Sequence, residues 1–226
     1  VSVFDEKAKD ILGGSMSETG SSFKEGQVIA GRFRLVRELG RGGMGSVHEA
    51  FDIKLERPVA IKLLDPAMTK TPMLVARFQR EALAAGMIGH DNICDVRDRG
   101  ETDDGIPFIV MELLVGEPLD QLYVREGPLD PERLCRLLIQ ALSALDAAHR
   151  AGIVHRDLKP ENLFVTRNPE GFEKIKIVDF GISKFIIQEE NKRLTKTGTV
   201  MGSPLYMSPE YIQCFEQDPQ RLLAVA

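Results

Sequence analysis

The chain of 226 residues carries 43% hydrophobic and 28% charged side chains, the balance of an ordinary globular protein, which excludes a disordered or fibrous one. The net charge of −5, with lysine and arginine spread along the chain, excludes the clustered basic face that nucleic-acid binding requires. The longest apolar stretch, Ile106 to Gly116, contains Glu112 and is too short to cross a bilayer, and the amino terminus lacks the apolar core of a signal peptide.

Residues 1–25, rich in Ser, Gly, Lys and Glu, read as a flexible leader. From Phe33 the pattern changes. Phe33, Leu35, Arg37 and Leu39 share one strand face, glycines follow, and Ser46 to Phe51 forms a second strand. Pro58 to Leu64 is a third. Thr71-Pro72 opens a helix that places Leu74, Phe78, Glu81, Ala82 and Ala85 on one face. Strands follow near Cys94 to Gly100 and Pro107 to Met111. Asp130-Pro131 caps a further helix, whose Leu134, Leu137, Leu138, Ala141, Leu142 and Leu145 form a broad core-facing stripe before Gly152. Asn162 to Val165 and Lys174 to Val178 are short strands. The order predicts an α+β, two-lobed plan: a five-stranded sheet with one helix, then a helical region. The three thiols, Cys94, Cys135 and Cys214, match no metal or redox spacing and suggest a reducing cytoplasm.

The chemistry concentrates in a few places. Gly40-x-Gly42-x-x-Gly45 lets backbone approach phosphates. Alone it equally suits a dinucleotide fold, but that fold needs a helix after the glycines, and Ser46 to Phe51 reads as strand. Val59-Ala60-Ile61-Lys62 alternates, so Ala60 and Lys62 point to one side. Glu81 sits on the apolar face of its helix, and an inward carboxylate needs a partner. His155-Arg156-Asp157-Leu158-Lys159-Pro160-Glu161-Asn162 puts a potential base (Asp157), a cation (Lys159) and an amide oxygen (Asn162) on one short loop. Asp179-Phe180-Gly181 adds a second carboxylate. One carboxylate to orient a hydroxyl, with an amide and another carboxylate for Mg²⁺, is what phosphoryl transfer from ATP requires.

In these motifs the chain resembles the eukaryotic-like serine/threonine protein kinases of bacteria. The resemblance implies ATP with Mg²⁺ (or Mn²⁺) as cofactors, and protein substrates with Ser or Thr hydroxyls. It implies that Lys62 holds the α- and β-phosphates and pairs with Glu81. Leu39, Val47 and Ala60 would line the adenine pocket, with Phe164 as its floor and Met111 as gatekeeper. The backbone C=O of Glu112 and N–H of Leu114 would bind the adenine edge. Asp157 would orient the substrate hydroxyl, Lys159 would neutralise the transferring phosphoryl group, and Asn162 and Asp179 would hold the metal. Lys159, two residues after Asp157, fits the Ser/Thr class. Thr195, Thr197 and Thr199 fall in the activation segment, where a phosphate on Thr199, or next on Thr197, would be captured by Arg156. Gly202 to Tyr206 resembles the substrate-docking loop, and another kinase chain is a possible partner.

The resemblance is read over about residues 26–211, dividing the chain into a leader (1–25), a small lobe with hinge (26–114) and a partial large lobe (115–226). Residues 211–226 resemble none of the family's later helices, and Arg221 does not fit the arginine that pairs with Glu210 in relatives. The chain thus reads as a protein kinase, or alternatively as a weakly catalytic or inactive fragment that binds nucleotide or a partner protein.

Overall fold

The computed structural model describes residues 23–180 and 204–209, apart from the side chains of Glu81, Ala84 and Pro204. Strands β1 (Val28–Ile29), β2 (Phe33–Gly42), β3 (Gly45–Asp52), β4 (Arg57–Leu64), β5 (Val96–Glu101) and β6 (Pro107–Met111) form one antiparallel sheet in the order β1-β2-β3-β4-β6-β5. The sequence predicts five strands here, and the sixth is β1. Its two residues pair with Arg34 and Phe33 across a turn that holds Ala30 and Gly31 at positive φ. A strand this short has no alternation from which it could be read.

Alternation along β3 and β4 gives the sheet two faces. On one, Val59, Ile61 and Leu63 are fully buried with Leu35, Ala50, Phe33 and Phe108, the last two meeting edge to face at 5.7 Å. Phe23, inside the stretch read as leader, packs into this same cluster and lies against His48. On the other, Leu64 and Ile109 pack against Phe78 and Ala82 of α1 (Pro72–Ile88). The helix stops where Gly89 turns left-handed at φ 58°.

Arg32, beside β1, closes this sheet on itself. It holds the buried Asp52 through two hydrogen bonds of 2.9 and 2.7 Å and reaches Asp98 on the opposite edge strand at 2.8 Å. That bond to Arg32 holds the Asp52 carboxyl below its ordinary value of 3.8, against the opposing pull of burial. A carboxyl lowered in the native state stabilises the fold above its unfolded pKa, and this contribution is lost as pH falls through the folded value. Arg32→Met is therefore expected to cost about 3 kcal/mol, since the Asp52 charge stays buried but keeps the Lys54 and Leu55 amides. Its melting temperature should also fall less than that of the wild type between about pH 5 and pH 3. Identical acid profiles would show that Arg32 does not set the Asp52 titration.

The second lobe is built on a three-stranded sheet, β7 (Gly116–Pro118), β8 (Leu163–Arg167) and β9 (Glu173–Ile177) in that order, with α2 (Leu119–Glu126) and α3 (Pro131–Arg150). Helix α3 begins as expected, with Asp130 accepting from the Arg133 N–H at 3.0 Å. Leu137, Ala141, Ala144 and Ala148 bury against Leu163, Val165, Ile175 and Ile177. The expected stripe is wider than the one observed. Leu138 and Leu142, assigned to the core from periodicity, are 40% and 63% exposed, with Ile139 beside them at 65%. A helix lying on a small sheet buries one narrow stripe, and this flank has no cover among the described residues. Strand β7 and helix α2 escape the sequence reading because each is short, with only Leu119 and Leu122 as buried anchors in α2.

Candidate active site

The glycine run is a β-hairpin: Gly40 pairs with Val47, Arg41 with Ser46 and Gly42 with Gly45. The three glycines are not equivalent. A Cβ on Gly40 or Gly42 meets nothing within 4 Å, whereas one on Gly45 lands 1.9 Å from the Leu63 carbonyl oxygen at φ +151°. Only backbone lies in the way, so nothing can yield cheaply. Gly45→Ala is expected to lose about 2–3 kcal/mol in a melting experiment, while Gly40→Ala and Gly42→Ala stay within about 1 kcal/mol. Equal losses at all three would contradict this steric distinction.

Register brings the neighbouring pocket residues into line. Val47 lies opposite Lys62, and across the next pair Lys62 faces Ile109 while Ala60 faces Met111. Ala60 is buried, Val47 and Met111 are half-buried, and Leu39, just before the hairpin turn, is 40% exposed. Behind Met111 a small cavity is lined by Lys62, Cys94, Val96, Asp179 and Phe180, among others. Burial, reinforced by nearby Glu112, pushes the Cys94 thiol up to about 12. It is a neutral wall, not a nucleophile.

Lys62 Nζ donates to Asp179 Oδ1 at 2.7 Å, joining residues 117 positions apart and on different lobes. The expected pairing of Lys62 with Glu81 falls outside the described residues, since the Glu81 side chain does. Asp179 itself holds a positive φ of 54°.

The loop after α3 is fastened from below by His155, which is only 2% exposed. Its Nδ1 accepts from the Asp157 N–H at 3.3 Å, so Nε2 carries the proton donated to the Val178 carbonyl at 3.1 Å. The ring also lies against buried Phe180 at 4.8 Å. This imidazole thus ties the backbone of Asp157 to the strand leading into Asp179. Sequence reading gave His155 no role; its place directly before Arg156-Asp157 was the available signal. Arg156 sits at φ 62°.

Asn162 is buried in a single 3-10 turn, Pro160–Asn162. Its Nδ2 donates to the Asp157 carbonyl at 2.8 Å, and its own carbonyl accepts from the Val178 N–H at 3.0 Å. With Nδ2 so engaged, Oδ1 is the remaining polar atom of the Asn162 side chain. Lys159 lies 3.9 Å from Glu161. The loop and the Asp179 segment are therefore brought together at Val178, by one main-chain bond to Asn162 and one from the His155 side chain.

Met111 ends β6, and the connection between lobes follows. Glu112 N–H donates to the Asp95 carbonyl at 2.9 Å, Leu114 is half-buried, and Thr166 Oγ1 donates to the Val115 carbonyl at 2.7 Å. Phe164 pairs with Pro118 and Lys176 in the small sheet, half-buried on the face opposite Leu163 and Val165. Thr195, Thr197, Thr199, Gly202 and Ser203 lie outside the described residues. Among the described residues no helix is long and apolar enough to cross a membrane, and none form a cluster of three metal-ligating acidic, His or Cys side chains.

Comparison with known proteins follows the same lines. The chain is 43% identical over 186 residues to the serine/threonine-protein kinase pkn3 of Myxococcus xanthus, covering 82% of this chain and 34% of that protein. It is 41% identical over 189 residues to the serine/threonine-protein kinase PknA of Mycobacterium tuberculosis, covering 82% and 42% respectively. The chain thus spans well under half the length of these relatives. The crystal structure of the Mycobacterium tuberculosis PknI kinase domain superposes with a TM-score of 0.58 at 34% identity, over 71% of this chain and 64% of that one. The protein kinase domain family matches residues 33–221, so the match extends beyond residue 211, where the sequence reading stopped it. With nearly the whole described region inside that match, the chain belongs to the protein kinase family.

Proposed function

We propose that this chain is the catalytic part of an enzyme that transfers the γ-phosphoryl group of ATP to serine or threonine hydroxyls of proteins. Membership of the family implies ATP and a divalent metal ion in general terms. The observation that carries the reading is the Lys62–Asp179 contact between lobes, with Asn162 tied to the same segment through Val178.

The residues fit their parts. Asn162 and Asp179 supply an amide oxygen and a carboxylate, the hard donors that suit Mg²⁺, or Mn²⁺ in its place. The bound cation would neutralise charge on the phosphates. Lys62 would hold the α- and β-phosphates, and Glu81 would hold Lys62. Leu39, Val47, Ala60, Met111 and Phe164 would enclose the adenine, while Gly40, Gly42 and Gly45 admit the phosphates. The C=O of Glu112 and the N–H of Leu114 would take the adenine edge. Asp157 accepts the hydroxyl proton as the new P–O bond forms, and the leaving ADP carries away the electrons of the broken one. Lys159 screens the transferring group. Arg156 is set to receive a phosphate on Thr199 or Thr197, placed there by this enzyme or by another kinase chain. Among the described residues the free thiols Cys94 and Cys135 suit a cytoplasmic setting.

Isothermal titration with ATP, with and without Mg²⁺, tests the reading together with a peptide-phosphorylation assay. Mg²⁺-dependent binding that weakens in Asp179→Asn is the expected result. Binding indifferent to both Mg²⁺ and that substitution would sink it.

A further inference from the structure

We propose that Glu112 and Lys176 form a positioning pair that holds the connection between the lobes at a set distance from Asp179. Lys176 Nζ donates to Glu112 Oε1 at 2.5 Å, across 64 residues of sequence, and the two side chains are only 12% and 18% exposed. A pair this far withdrawn from water is costly unless its geometry is good and its remaining valences are filled. Here they are. The same Glu112 oxygen accepts from the Asp95 N–H at 2.8 Å, and Lys176 also donates to the Ile93 carbonyl at 3.3 Å.

The surrounding backbone makes the pair part of a rigid seam. Ile177 N–H donates to the Asn92 carbonyl at 2.8 Å, Cys94 N–H donates to the Ile177 carbonyl at 2.9 Å, and Ile93 and Ile177 form a parallel bridge. Asn92 Nδ2 donates to the Ile175 carbonyl at 2.8 Å and to Gln140 on α3 at 3.0 Å. The segment ahead of β5 therefore moves with β9, and β9 leads directly into Asp179. Lys176 sits opposite Phe164 in the register, so its side chain shares the face that Phe164 presents. Glu112 is the one side chain of the connection fastened to this seam by charge.

The consequence rests on the nucleotide reading above, in which the Glu112 backbone meets the adenine edge and Asp179 the phosphate end. A ligand that touches both ends gains from a preset spacing, because the second contact is made at high effective concentration. A ligand that touches one end gains nothing. Glu112 and Lys176 thus act through the spacing and need not touch the ligand with their side-chain charges.

Titration calorimetry on the 226-residue chain tests this with two probes, adenosine alone and Mg·ATP. Lys176→Met is expected to weaken Mg·ATP about tenfold while adenosine stays within about twofold, and Lys176→Arg should restore the wild-type ratio. Glu112→Gln keeps an acceptor for the Asp95 N–H but loses the charge; it should show the same split and serves if Lys176→Met fails to fold. Parallel weakening of both probes, or an unchanged Mg·ATP affinity in a folded variant, overturns the positioning role. Wild-type protein that binds neither probe overturns the nucleotide reading and this inference with it. Binding of both with an unchanged ratio in the variants overturns the inference alone.

Discussion

Lys62→Met lowers phosphoryl transfer by about 10²- to 10³-fold, the loss expected when one fixed positive donor is removed from charge that develops in the transition state. Lys62 is held at the cleft by its neighbours in β3 and β6 and meets Asp179 at 2.7 Å, so its ammonium group is already placed before any ligand arrives. The accompanying change in stability separates two contributions. The Asp179 end of the contact is 47% exposed, and losing a half-open ion pair costs about 1 kcal/mol or less. An inward partnership with Glu81 would cost about 3–5 kcal/mol when broken. A fall in melting temperature of only a few degrees therefore assigns Lys62 chiefly to chemistry, and a much larger fall assigns it also to holding Glu81. Turnover equal to wild type removes Lys62 from the phosphate site altogether.

Asp157→Asn is expected to cut turnover by about 10²- to 10⁴-fold, the range for losing a positioned general base. Nucleotide affinity should hardly change. The reason lies in two main-chain bonds that Asp157 makes. Its carbonyl accepts from Asn162 Nδ2 and its N–H donates to His155 Nδ1, and both belong to the main chain. The amide side chain of asparagine matches the carboxylate in shape and leaves those bonds in place. Peptide phosphorylation measured beside ATP titration separates the two effects. A variant that binds Mg·ATP normally and still phosphorylates at the wild-type rate excludes Asp157 as the base. One that loses binding as well shows that the side chain also supports the Asn162 turn.

The proposed chemistry is legible in the sequence because phosphoryl transfer demands particular side chains at short spacings. Asp157, Lys159, Asn162 and Asp179 announce themselves on two short stretches, and the alternation of Ala60 with Lys62 reads directly as one strand face. Long periodic elements were legible for a similar reason. Helix α3 carries its own cap at Asp130, and β4 carries its buried run from Val59 to Leu64. Elements of two or three residues, such as Val28–Ile29 and Gly116–Pro118, have no period to read and exist only because a partner strand lies beside them. Periodicity also overstated the core at Leu138 and Leu142, since it reports that a face is apolar and says nothing of what covers it.

What the sequence by itself determined was which side chains are candidates for the proposed reaction, because that information is local. Which distant groups meet was decided by the tertiary structure. Nothing in the sequence pairs Lys176 with Glu112, and Arg32, Asp52 and Asp98 share no motif. Each pairing exists because strand register and lobe packing bring side chains from distant parts of the chain within reach, with Asp52, Glu112 and Lys176 largely withdrawn from water. Withdrawal from solvent makes such a pairing obligatory, and only the fold sets how far a given side chain is withdrawn.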